Sequence, residues 1–129
     1  MSVAQEIRER CYSDYIERME VLLKGRDPSS LILENSRNMR ENFYVAYPYL
    51  FADAYDNLRA DDVRQLALCG NLAFSWVRLL DRVYDRHIDS PVVLCLSLLQ
   101  EEFTNGLHVL FRPESPFWRY YKEYQDECF

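Results

Sequence analysis

The sequence predicts an all-α fold, and three observations support that class. Apolar residues recur at intervals of three and four along most of the 129-residue chain, which places them on one side of a helix. The chain has only 3 Gly and 5 Pro, few for a sheet joined by many tight turns. No segment shows the polar–apolar alternation of a half-buried strand. We expect a single domain, residues 1–129, built as a bundle of five to six helices around a buried central helix at about Asp61–His87.

The first part of the chain predicts three helices. An apolar stripe indicates a helix from Ala4 to about Lys24, and Gly25 is a suitable residue to end it. A second, more polar helix is expected from Ser29 or Ser30 to Tyr44. Because proline lacks a backbone N–H, Pro48 favours the first turn of a short third helix, which we expect to reach about Asn57.

The central helix is expected to be buried on nearly every side. After the acidic cap around Asp61 and Asp62, two apolar series cover much of its circumference. The first is Val63, Leu66, Gly70, Phe74, Val77, Leu80 and Tyr84, and the second is Leu68, Leu72, Trp76, Leu79 and Val83. A further apolar helix is expected at Pro91–Leu110, and a last one begins near Ser115–Pro116.

Charge and cysteine usage limit the possible partners. The net charge is −6 and the pI is about 4.9, so no global positive field attracts nucleic acid or an anionic membrane. Four widely spaced cysteines without a CxxC pattern argue against zinc and favour free buried thiols. The charged N-terminus lacks the apolar core of a signal peptide, and no apolar run reaches the length of a membrane span. We therefore expect a cytoplasmic protein.

The end of the central helix carries the most distinctive charge pattern in the chain. Three arginines alternate there with three aspartates, in the order Arg78, Asp81, Arg82, Asp85, Arg86 and Asp89. Asp81 and Asp85 are four residues apart and share one side of the helix. The pattern fits a ladder of ordinary ion pairs. It equally fits a site for Mg²⁺, which binds carboxylates together with substrate phosphates, and nearby arginines could hold those phosphates.

This segment resembles the first half of a class I isoprenoid (terpenoid) synthase. The resemblance rests on a buried helix ending in D-x-x-x-D, here Asp81-Arg82-Val83-Tyr84-Asp85, followed by a break and another apolar helix. It implies that Asp81 and Asp85 bind Mg²⁺ and that the metal holds a prenyl diphosphate, whose ionisation gives an allylic carbocation. The implied substrate-binding residues are Arg78, Arg82, Phe74, Trp76 and Tyr84, with the aromatic rings forming pocket walls that tolerate a cation.

The sequence matches only part of that family's pattern. Arg82 stands where the family usually has a second aspartate, and the second metal motif is missing because Leu79 and Val93 occupy its key positions. The resemblance therefore implies half of a pocket. We expect the 129 residues to be a fragment or one half of a larger helical domain, or to be completed by a second chain or a homo-oligomer. The alternative function is a non-catalytic helical interaction or oligomerisation domain, with the charged segment as a surface ladder. No residue is assigned a direct catalytic role.

Overall fold

Helices form all the regular secondary structure in the part of the chain that the computed structural model describes, residues 2–25, 37, 39–40, 43–54, 57–85 and 90–128. Four α-helices appear there: α1 at Val3–Leu23, α2 at Ala60–Tyr84, α3 at Ser90–Leu110 and α4 at Pro116–Cys128. Two short 3₁₀ helices, Phe43–Leu50 and Ala52–Ala54, lie between α1 and α2. The all-α prediction is confirmed.

Helix α1 begins and ends where its local sequence predicts. Ser2 caps it reciprocally: the Ser2 hydroxyl accepts a hydrogen bond from the Gln5 backbone N–H (3.2 Å), and the Gln5 side chain accepts one from the Ser2 N–H (2.9 Å). Gly25 has φ +77°, a conformation that glycine adopts without the steric cost of a side chain. The stripe of Cys11, Tyr15, Met19 and Leu23 is fully buried.

The chain does not form one continuous helix over the predicted range Pro48–Asn57. Residues 43–50 and 52–54 form 3₁₀ helices instead, closed by bonds such as the Phe51 N–H to the Pro48 carbonyl (3.2 Å). A residue of α2 stabilises this segment: the buried Asn71 side chain donates a hydrogen bond to the Val45 carbonyl (3.0 Å). Most of the predicted helix Ser29–Tyr44 lies outside the described residues, and its last two residues belong to the first 3₁₀ helix.

Helix α2 is the centre of the fold, packed against α1, α3 and the first 3₁₀ helix. Its N-terminus is simpler than predicted: Arg59 is the N-cap without a side-chain hydrogen bond, and Asp61 lies in the first turn. The expectation of burial on nearly every side is wrong for one face. Gly70, Val77 and Arg78 are exposed, whereas Leu72, Ser75 and Leu79 are buried. That open face leads to the aspartates.

Polar and ionic contacts fix α1 against its neighbours. The Tyr15 hydroxyl is hydrogen-bonded to the Ser75 hydroxyl within the core. At the surface, Arg64 of α2 makes a two-pronged contact with Asp14 (2.6 and 2.7 Å). Arg18 also pairs with Glu102 of α3 (3.3 Å), so α1 is bound to both α2 and α3. None of the described helices is long and apolar enough to cross a membrane.

Candidate functional site

The candidate site occupies the C-terminal end of α2. Asp81 lies in the last turn, and Asp85 is the residue that ends the helix, its backbone N–H donating to the Asp81 carbonyl (2.9 Å). Both side chains are exposed. On a helix, residues four apart lie on the same side, with their Cβ atoms about 5–6 Å from each other. The two carboxylates therefore sit side by side at the surface.

The described residues contain no ion-pair ladder at this end of α2. Neither Asp81 nor Asp85 forms a salt bridge with any of them, although Arg78 and Arg82 each precede an aspartate by three residues. The Arg78 guanidinium instead lies over the Phe74 ring, 5.9 Å from its centroid. The other predicted ladder members, Arg86 and Asp89, are outside the described residues.

Arg82 is partly buried beside the aspartates. Its Nη1 atom is shielded from solvent and has no hydrogen-bond partner among the described residues. A buried guanidinium nitrogen without an acceptor is unfavourable, because the group has lost water and gained nothing in return. An anion bound at this helix end would supply that acceptor.

The exposed face of α2 continues from the carboxylates as an apolar strip, formed by the exposed Val77 and Gly70 and by the half-buried Phe74, which also packs against the core. These residues are spaced by three and four, as are Val77, Asp81 and Asp85, so the strip and the carboxylates share one side of the helix. A methyl group added at Gly70 would meet no atom within 4 Å. The surface above the strip is therefore open.

Two of the predicted pocket residues, Trp76 and Tyr84, line a separate groove. Trp76 is turned toward α3, where its ring meets Phe103 edge to face with centroids 5.9 Å apart. Tyr84 is 73% exposed. Together with Leu80, they line a groove of about 530 Å³ that α3 and α4 complete with Gln100, Gln125 and Asp126. Asp81, Asp85 and Phe74 are not among its lining residues, so the predicted set divides between two surfaces.

Three residues of this groove escaped the sequence analysis. Gln100, Gln125 and Asp126 are single polar residues on two different helices, and no spacing in the sequence links them to Trp76. The only available signal was the pair Trp76 and Tyr84, eight residues apart and hence on one side of a helix.

Glu102 and His108, titratable side chains outside this site, have structural partners. Glu102 pairs with Arg18, and the His108 ring stacks on Trp118 with centroids 3.9 Å apart. Cys11, Cys69 and Cys95 are buried free thiols, as predicted. Burial raises the pKa of Cys69 to about 11, with a smaller contribution from the Glu102 carboxylate. Within the described ranges, no group of three or more His, Cys, Asp or Glu residues could hold a metal.

The fold and this helix end define an all-α domain with paired surface carboxylates. Comparison of the chain with protein-family models, curated proteins and solved structures finds no match.

Proposed function

We propose that the chain is a class I terpenoid synthase-like domain that binds a prenyl diphosphate through Mg²⁺ held by Asp81 and Asp85. One observation carries the proposal: both carboxylates are exposed, adjacent and without an ion pair among the described residues. Their position is unfavourable for the free helix, because the C-terminal end of a helix carries a partial negative charge. A bound cation would compensate that charge.

The donor set fits Mg²⁺ in particular. This ion takes oxygen ligands and is usually held by one or two carboxylates plus substrate phosphates and water, not by a complete protein cage. Asp81 and Asp85 supply two carboxylates, and the described residues around them add no further His, Cys or acidic ligand. The remaining ligands would come from the diphosphate and from water.

Arg82 and Arg78 supply positive charge for the diphosphate. Arg82 is partly buried beside the aspartates, and its side chain would turn outward for the guanidinium to donate to a phosphate oxygen. Arg78 lies one turn before Arg82 on α2, with its guanidinium over the Phe74 ring.

The apolar strip offers a surface for the prenyl chain. Gly70 leaves room for a ligand to approach the helix backbone, and Phe74 and Val77 present apolar surface beside the carboxylates. In the family that the sequence resembles, bound Mg²⁺ stabilises the departing diphosphate, and an allylic carbocation remains. The Phe74 ring, already in contact with one cation, is a suitable neighbour for another.

A second helical half is part of the proposal. Gly70, Val77, Asp81 and Asp85 are exposed to solvent, and water would react rapidly with an allylic cation there. A second chain or a second copy of this one would cover the strip and complete the pocket.

The test is titration calorimetry with geranyl thiolodiphosphate, an unreactive prenyl diphosphate analogue, with and without Mg²⁺. We expect binding that requires the metal and falls at least about tenfold in Asp81→Asn/Asp85→Asn. The matched control is Glu17→Gln/Glu20→Gln, which removes two exposed carboxylates from one side of α1 and should bind normally. Metal-independent binding, or equal losses in both variants, would contradict the proposal.

The same variant separates the second candidate, a helical interaction domain. That function is favoured by large apolar side chains at the surface, among them Leu94 (67% exposed) and Val109 (79%). It predicts no binding of the analogue and retention of partner binding in Asp81→Asn/Asp85→Asn.

A further inference from the structure

We propose that the groove between α2, α3 and α4 is a separate binding site for a small organic ammonium ion with an apolar body. The groove measures about 530 Å³ and is lined by Trp76, Leu80, Tyr84, Gln100, Gln125 and Asp126. Its volume is within the range of small-molecule sites. It does not include Asp81 or Asp85, so this inference is independent of the proposed metal site.

The electrostatic character of the groove favours a cation. Among the described residues that line the groove, Asp126 alone is charged, and it makes no ion pair with any of the described residues. Tyr84 lies in the last turn of α2 and Asp126 in the last turn of α4. Each helix C-terminus carries about half a negative elementary charge, so two such ends and one carboxylate meet at this groove.

The aromatic wall narrows the ligand class to an organic cation. Tyr84 is 73% exposed, and Trp76 is held by its edge-to-face contact with Phe103. The faces of Trp and Tyr attract ammonium groups, and their quadrupole favours alkylated ones that are weakly hydrated. Leu80, between them on α2, adds apolar surface for the body of the ligand. A small inorganic cation holds its hydration shell more tightly and would gain less from this wall.

Polar groups on the other two helices would orient the ligand. Gln125 is positioned by the hydrogen bond that its side-chain N–H donates to the Tyr121 hydroxyl (3.2 Å), and its amide oxygen remains an acceptor. Gln100 contributes a second amide from the middle of α3. A hydroxyl or amine hydrogen near the ammonium group could be donated to either one.

The test is an NMR titration that follows the two indole N–H signals of the full chain. Trp76 reports on the groove. Trp118 is an internal reference at the other end of α3, because its indole donates to the Phe111 and Arg112 carbonyls. We expect choline to shift the Trp76 signal saturably and to leave the Trp118 signal unmoved. The uncharged isostere 3,3-dimethylbutan-1-ol should bind at least about threefold more weakly.

Variants test whether choline binds in the groove or is attracted only by the net negative charge of the protein. Asp126→Asn and Tyr84→Leu should each weaken choline binding about three- to tenfold. The control Glu114→Gln removes one exposed carboxylate at the turn before α4 and should leave the affinity unchanged. Equal binding of the uncharged isostere, parallel shifts of both indoles, or equal weakening by Glu114→Gln and Asp126→Asn would overturn the proposal.

Discussion

At the residue scale, the thiol of Cys69 shows how burial sets chemistry. The side chain is 2% exposed, and the loss of water raises its pKa from the ordinary 9.0 to about 11, aided by the Glu102 carboxylate and opposed by the Gln65 side chain. Burial also raises the pKa of the Cys11 thiol. Both thiols are therefore protonated and weakly nucleophilic at neutral pH, which assigns them to the core and not to catalysis.

The raised pKa of Cys69 predicts a loss of stability in alkali. Below pH 9 the Cys69 thiol keeps its proton in both the folded and the unfolded chain. Between pH 9 and 11 the unfolded chain releases the proton while the folded chain keeps it, so stability falls as pH rises. We expect the free energy of unfolding to decrease by about 2 kcal/mol more in the wild type than in Cys69→Ala between pH 7.5 and 10.5.

Urea unfolding of the two reduced proteins at both pH values measures this difference. Comparison with Cys69→Ala removes the contributions of tyrosines and lysines, which titrate in the same range. Equal losses in the two proteins would show that the Cys69 thiol does not titrate differently in the folded and unfolded states.

At the element scale, glycines distinguish the packed side of α2 from its open side. Gly106 of α3 allows the two helices to approach closely: a Cβ atom there would lie 2.5 Å from Cys69 Sγ and 3.0 Å from Gln65 Nε2. Gly70 on α2 faces open space. A side chain is therefore excluded by close packing at Gly106 but not at Gly70.

This contrast predicts opposite effects of the same substitution. Gly106→Ala should destabilise the protein by about 1–3 kcal/mol through overpacking, whereas Gly70→Ala should be neutral or stabilising by up to about 1 kcal/mol. Because Cys69→Ala removes the clashing sulfur, Gly106→Ala should cost less in that background. Thermal and urea unfolding of Gly106→Ala, Gly70→Ala, Cys69→Ala and Cys69→Ala/Gly106→Ala would measure these differences in stability. Similar effects at both glycines would contradict this account.

At the scale of the whole molecule, the arrangement of helices leaves the proposed diphosphate site on an open face. The strongest packing joins α2 to α3, and α1 is bound to both by Asp14–Arg64 and Arg18–Glu102. The strip that ends in Asp81 and Asp85 faces away from these contacts. The described helices therefore provide one wall of a pocket.

An open site predicts binding without product formation. We expect the chain alone to bind geranyl diphosphate with Mg²⁺ and to release no cyclic hydrocarbon, because water reaches the strip. Extraction and gas chromatography of long incubations would measure this, with the Asp81→Asn/Asp85→Asn variant setting the background. A cyclic product made by the monomer would contradict the half-pocket model of the site.

The sequence by itself determined the fold class and the bounds of the longest helices. Apolar periodicity and local caps act over one or two turns, so α1, α2 and α3 begin and end within a few residues of the prediction, and α4 begins where it was predicted to begin. The 3₁₀ helix at Phe43–Leu50 could not be predicted from the local sequence. The Val45 carbonyl within it accepts a hydrogen bond from Asn71, which is 26 residues away in the chain.

Only the tertiary structure decided which side of α2 is buried. Gly70 and Val77 belong to an apolar series that the sequence assigns to the core, yet α1, α3 and the 3₁₀ helix cover the other sides of the helix. The same packing turns Trp76 toward α3 and away from Asp81. Periodicity defines the faces of a helix, but the choice of which face to cover depends on where the neighbouring helices lie.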